Sequence, residues 1–117
     1  MMTKILERSR PFTSILDFST TDIESFFRRK LDQHKIEAAY LFGSYVQGLA
    51  SAWSDIDILI VMPTTIPFIE RSRIFDNLYE LGLPVDILVY TPEEFSLLKT
   101  SDSGFWSSFR DHHQRIV

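Results

Sequence analysis

Apolar residues recur along the chain in two ways, at helical spacing and in short continuous runs. Apolar positions three and four residues apart predict helices over residues 21–34 and 67–81. Runs rich in Ile, Val and Leu predict strands over residues 36–42, 54–62 and 84–90. Helices that alternate with strands in this way predict an α/β (α+β) fold, a small mixed β-sheet flanked by helices.

Local signals place the remaining boundaries. Gly82 is a typical residue for ending a helix, and Thr91 can cap the helix that begins with Pro92. Residues 44–50 are predicted to form one or two helical turns. A last helix is predicted over residues 102–115, where the aromatic residues indicate core packing or an interface.

Composition bounds the class of protein. A chain of 117 residues with 44% hydrophobic residues fits one domain, which we assign to residues 20–117, after an N-terminal arm of uncertain structure over residues 1–19. The sequence lacks an apolar run of membrane-spanning length and a signal-peptide pattern, so we expect a cytoplasmic protein. The absence of cysteine excludes disulfides and thiol nucleophiles. A net charge of −4 argues against direct binding of duplex DNA.

Two acids in the strand over residues 54–62 suggest a metal site. Side chains alternate faces along a strand, so Asp55 and Asp57 are expected on one face and Ile56 on the other. Two neighbouring carboxylates repel each other, and a divalent cation removes that repulsion. Carboxylate oxygens suit Mg²⁺. Taken alone, the short Asp-x-Asp pattern also fits a strand edge with two solvated acids.

Two further elements point to the same chemistry. Gly43 and Ser44 follow a predicted strand, where a glycine allows a phosphate to approach the backbone and free amides can bind an anion. Asp86 is an acid in an otherwise apolar strand. If that strand lies beside the Asp55 and Asp57 strand, three carboxylates can hold metal ions and activate a hydroxyl group.

Leu41-Phe42-Gly43-Ser44, followed after ten residues by Asp55-Ile56-Asp57, resembles the active-site motif of the nucleotidyltransferase superfamily related to DNA polymerase β. Within it, the chain is similar to the MNT branch, the minimal nucleotidyltransferases. The resemblance implies that Asp55, Asp57 and Asp86 are catalytic metal ligands for Mg²⁺ or, alternatively, Mn²⁺. It implies that Gly43, Ser44 and Gly48 bind the nucleoside triphosphate.

The resemblance also implies a reaction and a partner. Members of the MNT branch commonly pair with a HEPN-domain protein as its antitoxin, some by transferring AMP from ATP to a tyrosine of that toxin. This chain departs from the branch at Val46 and Gln47, where Ala and a basic residue are usual. The sequence ends at residue 117 without an acceptor-binding domain, so we expect the acceptor site to come from a partner or from a homodimer.

Two alternatives remain open from the sequence. The same fold can neutralise a HEPN partner by contact alone, as a non-catalytic binding module, in which case Gln47 reflects relaxed nucleotide binding. A small-molecule nucleotidyltransferase that acts on an antibiotic is the other alternative. The adjacent His112 and His113 point in different directions on a helix, so they are interpreted as solvated histidines and not as a metal pair.

Overall fold

A four-stranded mixed sheet is the centre of the fold. The computed structural model describes residues 11–117. The strands are β1 Ala38–Phe42, β2 Ile56–Val61, β3 Val85–Tyr90 and β4 Gln114–Arg115. Their order in the sheet is β3-β2-β1-β4, with β2 and β3 parallel and β1 antiparallel to both of its neighbours. The predicted mixed sheet is therefore confirmed.

Helices cover both faces of this sheet. They are α1 Thr20–Leu31, α2 Pro92–Leu98 and α3 Gly104–Asp111. The parallel strands β2 and β3 are joined by a 3-10 helical segment, Phe68–Leu81, which has a break at Phe75 (φ −110°, ψ 34°). Gly82 ends this segment in the left-handed region at φ 85°, as expected for a helix-ending glycine. Among residues 11–117, no helix is long and apolar enough to cross a membrane.

The sheet separates two apolar clusters, because strand side chains alternate between faces. On β2, Ile56, Ile58 and Ile60 pack against α1 and the 3-10 segment. Leu59 and Val61 pack on the opposite face with the aromatic residues of α2 and α3. A strand that is buried on both faces reads as a continuous apolar run, which is why β2 is so evident in the sequence.

The C-terminal helix is shorter than the predicted 102–115, and that prediction is wrong at its end. The helix ends at Asp111, and His112 leaves helical geometry with φ −138° and ψ 58°. The chain then forms β4, in which Arg115 pairs with Tyr40 of β1. Hydrogen bonding to the open edge of β1 replaces the last helical turn, and such a long-range partner leaves no periodic signal in the sequence.

The segment before α1 packs onto the domain. Ser14 and Ile15 are buried, and the Ser14 hydroxyl donates to the carbonyl of Ala52 at 2.8 Å. Residues 1–10 of the predicted arm lie outside the described residues, so the domain boundary at residue 20 stays a prediction. Ser14 ties the start of the described chain to the loop that precedes Asp55.

A buried arginine joins the 3-10 segment to the start of α2. Arg71 is 7% exposed. Its guanidinium donates to both carboxylate oxygens of Glu94, at 2.6 and 3.3 Å, and to the carbonyls of Ile66 and Val89. Glu94 also accepts from the Thr91 amide and so completes the cap of α2. The bond to Val89 covers part of the outer edge of β3.

Candidate active site

Three carboxylates converge where β2 and β3 begin. Asp55 directly precedes β2, Asp57 lies within it, and Asp86 is paired with Asp57 in the parallel register of β3. One oxygen of each carboxylate lies within 4.8 Å of the others. From the sequence, the convergence of the three acids depended on these two strands being neighbours. The structure confirms that they are. Among residues 11–117, this is the group of acidic or histidine side chains close enough together to hold a metal ion.

The pKa values of Asp55 and Asp57 are both raised, in part because the neighbouring carboxylates repel one another. Partial burial is the main reason that the pKa of Asp57 is raised from 3.8 to about 6, and the charges of Asp55 and Asp86 add to it. Burial also raises the pKa of Asp55, followed by its hydrogen bond with Asp86 and the charge of that residue. Three acids held this close therefore disfavour full ionisation in the absence of a counter-charge.

Gly43 packs directly against the cluster. It has φ 77°, and a Cβ atom at this position would overlap Asp57 Oδ2 and lie 3.0 Å from Asp57 Cγ. Glycine is needed here for two reasons, the positive φ and the close approach of a carboxylate. The end of β1 and the acid of β2 are thus fixed against each other by the pairing of Phe42 with Asp57.

The segment after Gly43 forms a turn and not a regular helix. The amides of Gln47 and Leu49 donate to the carbonyls of Gly43 and Ser44, at 3.2 and 2.9 Å. The amides of Ser44 and Tyr45 donate to no other atom in the described part of the chain. The start of the turn therefore offers free N–H groups beside the acids, the arrangement that binds phosphate oxygens.

Gly48 and Gln47 differ from Gly43 in their surroundings. Gly48 has φ 75°, but no atom lies within 4 Å of an added Cβ, so its need for glycine is conformational. Gln47 is exposed on the same turn. A longer or charged side chain can be accommodated at Gln47 without displacing the core.

The sequence did not reveal which part of the protein borders the acids. Phe42, opposite Asp57, contacts Phe105 and Phe109 of α3 with ring centroids 5.6 and 5.7 Å apart. Trp106 and Phe109 are buried, whereas Phe105 is 41% exposed. The acids therefore share one face of the sheet with the aromatic cluster. The alternation of Ala38, Tyr40 and Phe42 was the signal that could have indicated this face.

Comparison with known proteins identifies the family. Residues 22–108 match the model of the family described as the nucleotidyltransferase domain. The chain belongs to this family. The match covers β1, the Gly43 turn, β2 and β3, and therefore includes all three acids of the cluster.

Individual relatives agree with this assignment. The chain is 38% identical over 63 residues to a protein adenylyltransferase MntA from Thermococcus cleftensis. The aligned residues cover 51% of this chain and 62% of that protein. The chain thus spans less than two thirds of the length of this curated relative.

Solved structures give the same fold. A crystal structure of a toxin–antitoxin with AMP-PNP is similar with a TM-score of 0.59 and 25% identity, over 80% of this chain and 72% of that chain. A complex of tri-AMPylated Shewanella oneidensis HEPN toxin with MNT antitoxin is similar with a TM-score of 0.56 and 20% identity, over 85% and 72% of the two chains. At that identity the second likeness shows the fold alone.

Proposed function

We propose that this chain transfers AMP from ATP to a hydroxyl group, most specifically to a tyrosine of a HEPN-domain partner that it thereby neutralises as an antitoxin. The observation that carries the proposal is the convergence of three carboxylates beside the free amides of a glycine turn. The MntA relative is named a protein adenylyltransferase, and a similar solved structure is a toxin–antitoxin with AMP-PNP.

The donor set fits a hard divalent cation. Asp55, Asp57 and Asp86 present carboxylate oxygens within 4.8 Å of one another, and their mutual repulsion calls for a positive partner. In the proposed enzyme these three acids hold Mg²⁺, with Mn²⁺ as the alternative ion. When bound, the metal supplies positive charge that binds triphosphate oxygens and offsets negative charge in the transition state.

The residues around the cluster have separate roles in the proposed reaction. Ser44 and its free amide, together with the Tyr45 amide, bind phosphate oxygens and orient the triphosphate. Gly43 lets the nucleotide approach Asp57, and Gly48 shapes the turn. Asp86 is the exposed acid of the three and accepts the proton of the acceptor hydroxyl. The acceptor oxygen then bonds to the α-phosphorus, the bond to the β-phosphate oxygen breaks, and pyrophosphate leaves.

The reaction depends on how the acceptor is placed. Transfer needs a hydroxyl held close to Asp86 and in line with the leaving oxygen, and positioning supplies much of the rate. Phe105 is exposed and contacts Phe42, which is paired with Asp57, so a partner that covers it would bring its surface close to the acids. We therefore expect the chain alone to be nearly inert with ATP.

The test is intact-mass spectrometry of a cognate HEPN protein after incubation with this chain, ATP and Mg²⁺. We expect a mass gain of one AMP per modified site, which is absent with EDTA and absent with Asp57→Asn. Asp76→Asn, a matched change of an exposed acid in the 3-10 segment, should retain the adduct. Asp86→Asn should slow transfer more than it weakens nucleotide binding, if Asp86 is the base.

The binding-module alternative makes a different prediction. Full neutralisation of the toxin by the Asp57→Asn protein, with no adduct at any time, would establish contact inhibition and refute the catalytic proposal. Gln47 is the residue that favours this alternative, since it stands where a phosphate-binding cation is usual in the MNT branch. An adduct that depends on Asp57 would refute it.

A further inference from the structure

A groove on the aromatic face of the sheet lies away from the three acids. It consists of two adjoining cavities of about 200 and 280 Å³ that share Tyr40, Phe95 and Lys99. Arg115 lines the first cavity and Arg110 the second. We call these five residues the basic groove. They come from β1, α2 and the residue that follows it, α3 and β4, so the groove exists only in the folded chain.

The charge of the basic groove is opposite to that of the whole chain. The chain carries a net charge of −4, yet Lys99, Arg110 and Arg115 meet here, and Glu37 is the one acid that lines either cavity. None of the three cations forms an ion pair with an aspartate or glutamate side chain among residues 11–117. Three cations without an acidic side chain as partner favour a local positive potential that attracts an anion.

Hydrogen bonds to main-chain oxygens hold the two arginines in place. Arg110 donates to the carbonyls of Lys99 and Ser101, at 2.9 and 2.8 Å, at the end of α2. Arg115 donates to the main-chain oxygen of Val117 at 2.7 Å and to the carbonyl of Glu37 at 3.5 Å. The acceptors of Arg110 are neutral carbonyl groups, which hold this guanidinium in place without neutralising it, so its charge stays available to a ligand.

Two aromatic rings line both cavities. Tyr40 and Phe95 are stacked with ring centroids 5.6 Å apart. Lys99 Nζ lies 5.9 Å from the centre of the Phe95 ring, and Arg115 Cζ lies 5.7 Å from that of Tyr40. His113 stacks on Phe109 in the second cavity, with ring centroids 4.9 Å apart. The Phe95 and Tyr40 rings thus each have a cation close to them.

The basic groove is separated from the carboxylate cluster. Tyr40 pairs with Leu59, whereas Phe42, two residues further along β1, pairs with Asp57. Phe109 is buried and contacts both Tyr40 and Phe42, so its ring stands between the two sites. A ligand in the groove would not use the three acids.

We propose that the basic groove binds single-stranded nucleic acid. Arg115, Lys99 and Arg110 extend across two adjoining cavities, and a row of cations suits successive backbone phosphates better than one small anion. Aromatic side chains interleaved with cations are the usual platform for unpaired bases. The acidic remainder of the surface would confine the strand to this groove.

Fluorescence anisotropy with a labelled 12-nucleotide RNA of mixed sequence tests the proposal. We expect Lys99→Ala/Arg115→Ala to weaken binding about tenfold or more at low salt, and to reduce the slope of log K against log salt by about 1.4, for two lost phosphate contacts. Arg29→Ala/Arg73→Ala removes the same charge from exposed positions of α1 and the 3-10 segment and should bind within about twofold of wild type.

Further measurements with the same binding assay identify the ligand and the site. Excess ATP with Mg²⁺ and the Asp57→Asn change should both leave RNA binding intact, and displacement by ATP would overturn the proposal. Equal weakening by the two double variants, or equal binding of a poly-glutamate peptide, would also overturn it. Lys99→Ala alone, which removes no hydrogen bond of the Lys99 side chain, provides the test if the double variant fails to fold. Unchanged binding by a folded Lys99→Ala protein would contradict the proposal.

Discussion

Acids at the two ends of β3 stand in opposite electrostatic settings. At the start of the strand, Asp86 joins Asp55 and Asp57, and the pKa of Asp57 is raised to about 6. Just beyond its end, Glu94 binds Arg71, chiefly through a side-chain hydrogen bond that lowers the pKa of Glu94. The protein can supply a buried cation for an acid, and it does so at only one of these two places.

The difference separates a structural use of charge from the functional use that we propose for the three acids. The Arg71 and Glu94 pair is satisfied within the chain and joins the 3-10 segment to α2. The three acids remain short of positive charge, which costs the apo protein stability and leaves the site open to a cation from outside. Removing a member of each group should therefore have opposite effects on stability.

The largest expected effect is on catalysis, at the start of β3, where the three acids have no cation as partner among the described residues. Asp57→Asn should reduce AMP transfer about 1,000-fold or more, because the site would lose one of the carboxylates that we propose to hold the metal. The same change should not lower the melting temperature of the apo protein, since it relieves repulsion. Transfer rates and thermal melts measured on one preparation check both halves. A variant that keeps more than a tenth of the activity would contradict the role proposed for Asp57.

Arg71→Ala should have the largest effect on stability. The change leaves Glu94 without its partner and Val89 without a donor, and we expect a loss of about 2–4 kcal/mol in the free energy of unfolding. The Glu94 side chain is 40% exposed and can be hydrated, which holds the loss below that of a fully buried pair. Urea denaturation measures it. The exposed Arg73→Ala control should stay within about 0.5 kcal/mol of wild type.

The acids at the start of β3 and Glu94 beyond its end should give the stability opposite dependences on pH. The pKa of Asp57 is higher in the folded protein, so the folded state binds more protons, and stability falls as the pH rises from about 4 to about 6. We expect this loss to be about 1–2 kcal/mol after screening, and to be absent in Asp57→Asn.

Glu94 should contribute the opposite dependence. Its pKa is lowered in the folded protein, so its stabilisation is present above the ordinary value of 4.5 and is lost as the pH falls through the folded pKa. Urea titrations at several pH values, compared between wild type, Asp57→Asn and Glu94→Gln, separate the two. Identical pH profiles for the three proteins would refute both assignments.

The smallest expected effect comes from adding charge at the acidic end. Gln47→Arg places a cation on the turn beside Gly43 and should tighten ATP binding by about 0.5–1 kcal/mol, the range of an exposed ionic contact. Calorimetry with Mg²⁺ present measures the change, with the same substitution at the exposed Gln33, two residues beyond α1, as the control. An unchanged affinity would mean that the side chain at residue 47 faces away from the nucleotide.

The sequence went far in predicting the elements that continuous or periodic apolar patterns mark. The strands β2 and β3, helix α1 and the Thr91 cap all lie close to their predicted positions. The last helix was predicted to continue to residue 115, where the chain instead forms β4. This strand is stabilised by pairing with β1, 73 residues or more away along the chain, and such pairing has no local signal in the sequence. The buried Arg71 was likewise missed, since a lone arginine in a helical segment resembles an exposed one.

The sequence by itself determined which residues make up the candidate site. Asp-x-Asp in an apolar strand, Gly-Ser ten residues before it and one acid in the next strand are local features, and they require no knowledge of contacts. Only the tertiary structure decided that Asp86 pairs with Asp57, that Gly43 packs against that carboxylate, and that three cations meet around Tyr40 and Phe95. Residues distant in the chain are brought together by strand register and helix packing, which depend on the whole core.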